Sequence, residues 1–236
     1  MTRRRPFSAL AAQFFFPQRH CLICGKVSQR PGLCAACGAE LAALPRCDVC
    51  AAFMPFSGLC PQCVAIPPLF VRAAAAAPYG GLLKDSLRAF KYQEKTWLRR
   101  PLAALLAQTF ERYYSGIPLS AVTPIPLAHS RHKERGYNQS EMLSSLLAGE
   151  FALEHQPALL NRTLDTPPLA AYDGAQRRLL LKQAFGAAPQ AKGQTVLLVD
   201  DIYTSGATLN ACSEVLLAAG AAAVYGITVA SYDTRG

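Results

Sequence analysis

Eight cysteines fall into four CxxC pairs: Cys21/Cys24, Cys34/Cys37, Cys47/Cys50 and Cys60/Cys63. Each pair begins 13 residues after the one before it, so residues 21–63 form an internal repeat. A CxxC turn presents two thiolates to one metal, and two such turns give the tetrahedral four-sulfur set that zinc prefers. Disulfide scaffolding does not need this spacing, and redox use does not account for four regular pairs. The pattern predicts two structural Zn²⁺ ions and a reducing, cytoplasmic setting. The nine-residue spacers favour consecutive pairing, 21/24 with 34/37 and 47/50 with 60/63, each closed by a hairpin. Crossed pairing, 21/24 with 47/50, is the alternative. In the consecutive arrangement Leu44, Pro45 and Arg46 link two ribbons. His20 is then a neighbour of the site, and Cys212, alone on a helical pattern, a small core residue.

The rest of the composition describes a globular chain. Of 236 residues, 51% are apolar, which excludes wholesale disorder. No run of about 18 apolar residues is present, so no membrane insertion is expected. The N-terminal arginines and the phenylalanines Phe14, Phe15 and Phe16 imitate an export signal, but Gln13 and Pro17 break the apolar run. A short helix from Ser8, packed through its phenylalanines, is expected instead. The formal charge is +9. Two four-thiolate zinc sites, each carrying −2, leave about +5. Residues 84–135 hold ten basic and four acidic side chains, whereas residues 136–236 hold six and nine. The positive potential belongs to the middle of the chain and suits a polyanion or pyrophosphate partner.

Ile66, Pro67 and Pro68 read as a linker, dividing the chain into residues 1–66, an N-terminal helix with the double ribbon, and residues 69–236. Beyond the linker, strand and helix signals alternate. Strands are expected at residues 70–78, 121–126, 158–161, 195–200 and 223–231. Helices are expected at residues 82–90, 97–113, from Asn138 or Ser140 to 147, and 208–219. Alternation argues for an α/β fold with a mostly parallel sheet, where ligands bind at the carboxyl ends of strands.

The stretch VLLVDDIYTSGATL, starting at Val196, puts chemistry at such an end. Asp200 and Asp201 are expected to escape strict alternation there and both turn to one ligand, accepting hydrogen bonds from vicinal hydroxyls. Thr204, Ser205, Gly206, Ala207 and Thr208 then offer hydroxyls and backbone N–H groups at a helix N-terminus, which suits a phosphate. No GxxxxGK[ST] is present, so this is not a P-loop. The combined target is a ribose 5-phosphate moiety.

Four apolar residues, two acids and a T-[ST]-G-x-T loop resemble the phosphoribosyl pyrophosphate (PRPP) signature of type I phosphoribosyltransferases. Pro124, Ile125, Pro126 and Leu127, followed by Arg131, Lys133, Glu134 and Arg135-Gly136-Tyr137-Asn138-Gln139, resemble a block of the ComF family, which includes the GntX proteins. Lys91-Tyr92 and the tandem CxxC pairs fit the same family. The resemblance implies a type I phosphoribosyltransferase fold behind a double zinc ribbon, and a role in DNA uptake during competence or in DNA utilisation. It implies that Asp200 and Asp201 hold the ribose hydroxyls and residues 204–208 the 5-phosphate, with Mg²⁺ accompanying PRPP. Lys91, Arg131 and Arg135 are the expected pyrophosphate cations, Arg135 above all because Gly136 allows close backbone approach beside it. His129 and His132 are read as surface imidazoles of the same loop.

Residues 166–185 resemble the family's flexible loop over PRPP, with departures. Leu169, Tyr172 and Leu180 replace a glutamine, a leucine and an asparagine, while Arg177 and Arg178 remain. Arg177 is the expected catalytic arginine of the closed state. Two function classes follow. One is phosphoribosyl transfer from PRPP to an unidentified acceptor. The other is a non-catalytic module that binds PRPP and nucleic acid, single-stranded DNA included, with the ribbons contacting DNA or proteins of an uptake machinery.

Overall fold

The computed structural model describes residues 20–165, 180–181 and 183–233. The helix expected from Ser8 lies outside them. The cysteines converge in the consecutive arrangement, Cys21/Cys24/Cys34/Cys37 and Cys47/Cys50/Cys60/Cys63. The first CxxC of each ribbon is flanked by an isolated antiparallel bridge, His20 to Val27 and Arg46 to Phe53, with Cys47 also bridged to Gly58, rather than by an extended hairpin. In each ribbon the second CxxC starts a helix: α1, Ala35–Ala43, and α2, Pro61–Ala65. Cys34 and Cys60 are the N-caps, and their sulfurs accept from the N–H groups of Cys37 and Cys63.

After the linker come β1 (Arg72–Pro78), α3 (Gly81–Tyr92), α4 (Arg99–Tyr113), β2 (Ala121–Pro124), α5 (His129–Arg135) and α6 (Gln139–Glu150). Then follow β3 (Leu160–Arg162), β4 (Phe185–Ala187), β5 (Thr195–Tyr203), α7 (Ala207–Ala218) and β6 (Ala223–Ser231). A four-stranded sheet has the order β1-β6-β5-β2, and each of its pairings is parallel. The strand expected at 158–161 lies outside that sheet. Pro157 starts a 3₁₀ turn, and the residues after it pair antiparallel with β4.

The sheet separates two cores. Leu197 and Val199 of β5 face α3, α4 and α6, together with Leu22, Leu33 and Leu41 of the first ribbon. Val196 and Leu198 face α7, β3 and β4, together with Met54 and the cysteines of the second ribbon. Alternation along a single strand thus feeds both layers.

β1 explains why an alanine run forms a strand at all. Residues 73–77 are all buried, and small side chains let other backbone approach closely. The outer edge of β1 is sealed by the segment joining and opening the second ribbon. The Ala73 N–H donates to Val49 O at 2.7 Å, and Arg46 Nη1 donates to Ala75 O at 3.1 Å. Arg46 is itself held over the rings of Phe53 and Tyr113, 4.6 and 5.5 Å from their centroids. Ser231 Oγ donates to Ala51 O, and Phe53 N–H to Tyr232 O. An exposed strand edge invites aggregation, and here the ribbon covers it.

The division at the linker is therefore one of chain order, and the packing runs across it. Full removal of zinc is expected to lower the melting temperature of the whole chain and to speed hydrogen exchange at the β1 amides, Ala73 first. Melting of the ribbons with unchanged exchange in β1 would contradict this coupling.

Candidate functional site

The cysteine clusters fit zinc. The four sulfurs of each group lie within 4.8 Å of one another. Cys24 Sγ and Cys34 Sγ are 3.8 Å apart, and Cys50 Sγ and Cys60 Sγ 3.7 Å. A tetrahedral site with Zn–S bonds of about 2.3 Å requires S···S separations of about 3.8 Å. Burial raises the Cys21 thiol, but backbone N–H groups of Cys24, Cys34 and Ile23 outweigh it and bring the pKa down to about 6. Cys50 is pushed up to about 12, by burial first and also by the charges of Cys47 and Cys60. Clustered thiolates repel one another, and a divalent cation removes that repulsion.

The two carboxylates behave differently from expectation. β5 does not end at Asp200 but runs through both acids to Tyr203, with Asp200 opposite Thr228 and Ile202 opposite Ala230. The two side chains take different partners. Asp201 is 4% exposed and meets Lys91 at the end of α3, Nζ to Oδ2 2.6 Å. Burial lowers the Lys91 pKa, but the Asp201 charge and hydrogen bond and the Asp200 charge outweigh it, so the amine is held above its usual value. Asp200 has other neighbours. It lines a small cavity with Thr204, Gly206, Thr208 and Thr228. Its Oδ1 accepts from Ser140 Oγ and from the Asp201 N–H, each at 2.9 Å. Burial and then the Asp201 charge raise its carboxyl to about 7, against the pull of Lys91 and these hydrogen bonds.

The loop after β5 fits a phosphate. Residues 204–206 form a bend and α7 begins at Ala207. Gly206 is the N-cap, with φ +70°, and no side chain caps the helix. The first-turn N–H groups therefore keep their capacity for an anion. Gly206 is required for two reasons: the left-handed backbone and the space above Tyr203, whose hydroxyl oxygen a Cβ at 206 would meet at 2.1 Å.

The block after β2 does more positioning than anion binding. Residues 129–135, expected as a loop, are the helix α5, with Arg131, His132 and Lys133 exposed. Gly136 ends that helix with φ +79°, and nothing lies within 4 Å of a Cβ built on it. Its role is the left-handed cap rather than close backbone approach. Tyr137 donates its hydroxyl to Phe90 O. Asn138 caps α6 through the Ser140 N–H and donates to Ile125 O. Arg135 donates to Gln139 Oε1 and lies 5.1 Å over the Tyr92 ring. This chain of contacts delivers Ser140 to Asp200.

The structure thus brings Asp200 together with Thr204, Gly206 and Thr208. It places Ser205 and Ala207 on the neighbouring cleft beside the second ribbon and Lys91 on Asp201. Arg177, Leu169 and Tyr172 lie outside the described residues. Ser140 and Tyr203 were not singled out; a serine two residues after a helix-capping asparagine was the available signal for Ser140.

Comparison with known proteins agrees with this geometry. Residues 11–64 match a family described as a double zinc ribbon domain, and residues 101–235 match the phosphoribosyl transferase domain. Competence protein F of Haemophilus influenzae is 30% identical over 192 residues, 78% of this chain and 84% of that protein. The chain belongs to the competence protein F family. The DNA utilization protein YhgH of Escherichia coli K12 is 29% identical over 214 residues, covering 82% of this chain and 94% of that protein. Competence protein ComFC of Bacillus subtilis is 31% identical over 147 residues, covering 61% and 58%. The two adjacent acids of this chain have separate partners, Lys91 for Asp201 and Ser140 for Asp200.

Two outcomes test that division. Lys91→Met leaves Asp201 buried without its partner and is expected to cost about 3–5 kcal/mol in urea denaturation; adding Asp201→Asn should restore most of it. Asp200 has a folded pKa raised from 3.8 to about 7. Its stabilising contribution is complete below the unfolded value and lost as pH rises through about 7. Denaturation midpoints between pH 5 and 8 should fall with pH, and Asp200→Asn should flatten that fall.

Proposed function

We propose that this protein binds PRPP or a ribose 5-phosphate compound at the carboxyl end of β5, in the service of DNA uptake or utilisation. The observation that carries the reading is Asp200 sharing one cavity with the uncapped N-terminus of α7. The loop residues Thr204, Ser205, Gly206, Ala207 and Thr208 take the 5-phosphate through backbone N–H groups and hydroxyls. Asp200, oriented by Ser140, accepts from the ribose hydroxyls. Asp201 acts through Lys91, fixing the end of α3. Arg135 and Arg131 are the candidate cations for the pyrophosphate, and Arg177, outside the described residues, is the candidate catalytic arginine. Mg²⁺ favours oxygen ligands and keeps several waters, so one carboxylate, Asp200, suits an ion carried in on the ligand's phosphates; it would neutralise a leaving pyrophosphate. The names competence protein F and DNA utilization protein, borne by relatives, support the link to DNA, and the paired free thiols suit a reducing, cytoplasmic setting. No helix among the described residues is long and apolar enough to cross a membrane.

A second reading, contact with single-stranded DNA, is favoured by one surface. Tyr92 is 68% and Trp97 64% exposed, with Lys95 and Arg100 exposed beside them. Exposed aromatics among cations are the usual platform for unstacked bases.

Titration calorimetry with Mg²⁺ should show PRPP binding, weakened by about 1.5–3 kcal/mol in Asp200→Asn, the scale of a hydrogen bond to a charged group. No binding heat and no competition by ribose 5-phosphate would reject the site. Pyrophosphate release with any base or ammonia, abolished in Asp200→Asn, would mark a transferase; binding without release marks a module. Affinity for single-stranded DNA should fall with salt by about 0.7 log units per phosphate contact. Reversing Lys95, Arg99 and Arg100 should flatten that slope, and Trp97→Ala should cost about 1–3 kcal/mol. An unchanged slope would show that these cations only solvate the surface.

A further inference from the structure

The second ribbon touches the phosphate loop, and the first does not share that face of the sheet. One contact comes from the ribbon itself and two from residues around it. Gln62, on α2 between Cys60 and Cys63, donates its side-chain amide to Ser205 O at 2.5 Å. Tyr203, 6% exposed, lies directly beneath Gly206, with its hydroxyl in the place a Cβ would need. Its ring stands edge-on to Phe70, centroids 6.5 Å apart. The Leu69 N–H, just past the linker, donates to Asn210 Oδ1 in the first turn of α7 at 2.7 Å.

The second cysteine cluster brackets these residues. Cys60 caps α2 through the Cys63 N–H, so Gln62 sits on a single turn of helix between two sulfurs of that cluster. Gln62, Cys63 and Tyr203 line one cleft with Ser205 and Gly206. All four cysteines of this ribbon are buried, whereas Cys24 of the first ribbon is exposed. A loop that binds an anion through backbone N–H groups needs them fixed in advance, because ordering them on binding costs affinity. Residues 204–206 have little regular structure of their own to fix them.

We propose that the second zinc ribbon is a positioning element for the phosphate loop, with Gln62 and Tyr203 coupling the Cys47/Cys50/Cys60/Cys63 site to residues 204–206. The inference rests on the phosphate-site reading above and adds a partner for the loop within the chain. Coupling between two sites is reciprocal. A metal site that steadies the loop is itself steadied when the loop holds an anion.

The test uses the zinc-loaded full chain and ribose 5-phosphate as the probe. Pulse alkylation with N-ethylmaleimide, read cysteine by cysteine by mass spectrometry, reports on each ribbon separately. Ribose 5-phosphate should slow alkylation of Cys60 and Cys63 roughly three- to tenfold, the scale of one net hydrogen bond. Cys24 and Cys34 should be unaffected. Gln62→Ala should keep two bound zinc ions, weaken ribose 5-phosphate by a similar factor and erase the protection; simple shielding by the ligand would survive that change. Tyr203→Phe, which keeps the ring and removes the hydroxyl, should also weaken binding with zinc retained. If ribose 5-phosphate binds but protects neither ribbon, or both equally, the coupling is wrong and the site stands. If it gives no binding heat with the unmodified chain, the site and the coupling fall together.

Discussion

The alternation of side chains along β5 organises this molecule. The strand pairs with β6 on one side and β2 on the other, and its apolar residues feed both cores. The ladder continues through both carboxylates to Tyr203, and each carboxylate takes its own partner. Asp201 meets Lys91 at the end of α3, the cation that makes its burial tolerable. Asp200 takes the Ser140 hydroxyl and shares a small cavity with the uncapped start of α7. The ion pair holds one carboxylate in the fold, while its neighbour lines a cavity.

The ribbons answer a second constraint. An all-alanine strand at the edge of a sheet has little surface to bury and two rows of backbone groups to satisfy. The segment around Arg46 and Val49 provides the missing partners, and its position follows from sulfurs converging on one point. The metal clusters therefore order the turns, the turns close the sheet edge, and α2 reaches from there to the phosphate loop. Chain order separates ribbons from sheet, while packing joins them.

Much of the site was legible beforehand. The CxxC spacing told of four-sulfur sites, because thiolate pairs on a tight turn have few other uses. The apolar run followed by acids and a small hydroxyl-rich loop marked a strand and the helix after it, although the strand runs through both acids to Tyr203. Helix and strand positions held for residues 223–231 and nearly so for the strong helical patterns. Three local readings changed. The strand near residue 160 left the main sheet, residues 129–135 folded as a helix, and Lys91 was drawn from the pyrophosphate to Asp201. Each depends on a partner distant in sequence, which periodicity does not encode.

What the sequence determined alone was chemistry and period: eight thiolates in metal spacing, an α/β alternation, two adjacent acids before a glycine-bearing loop. Those follow from short-range covalent geometry and from residue type. Tertiary structure decided the assignments among them. It gave Asp200 and Asp201 different partners, Ser140 and Lys91, because those side chains arrive from helices distant in sequence. It made Tyr137, Asn138 and Gln139 part of the scaffold that presents Ser140, through bonds to Phe90, Ile125 and Arg135. It set Gln62 and Tyr203 against Ser205 and Gly206, contacts that exist only because the second ribbon packs over the same face of the sheet as α7.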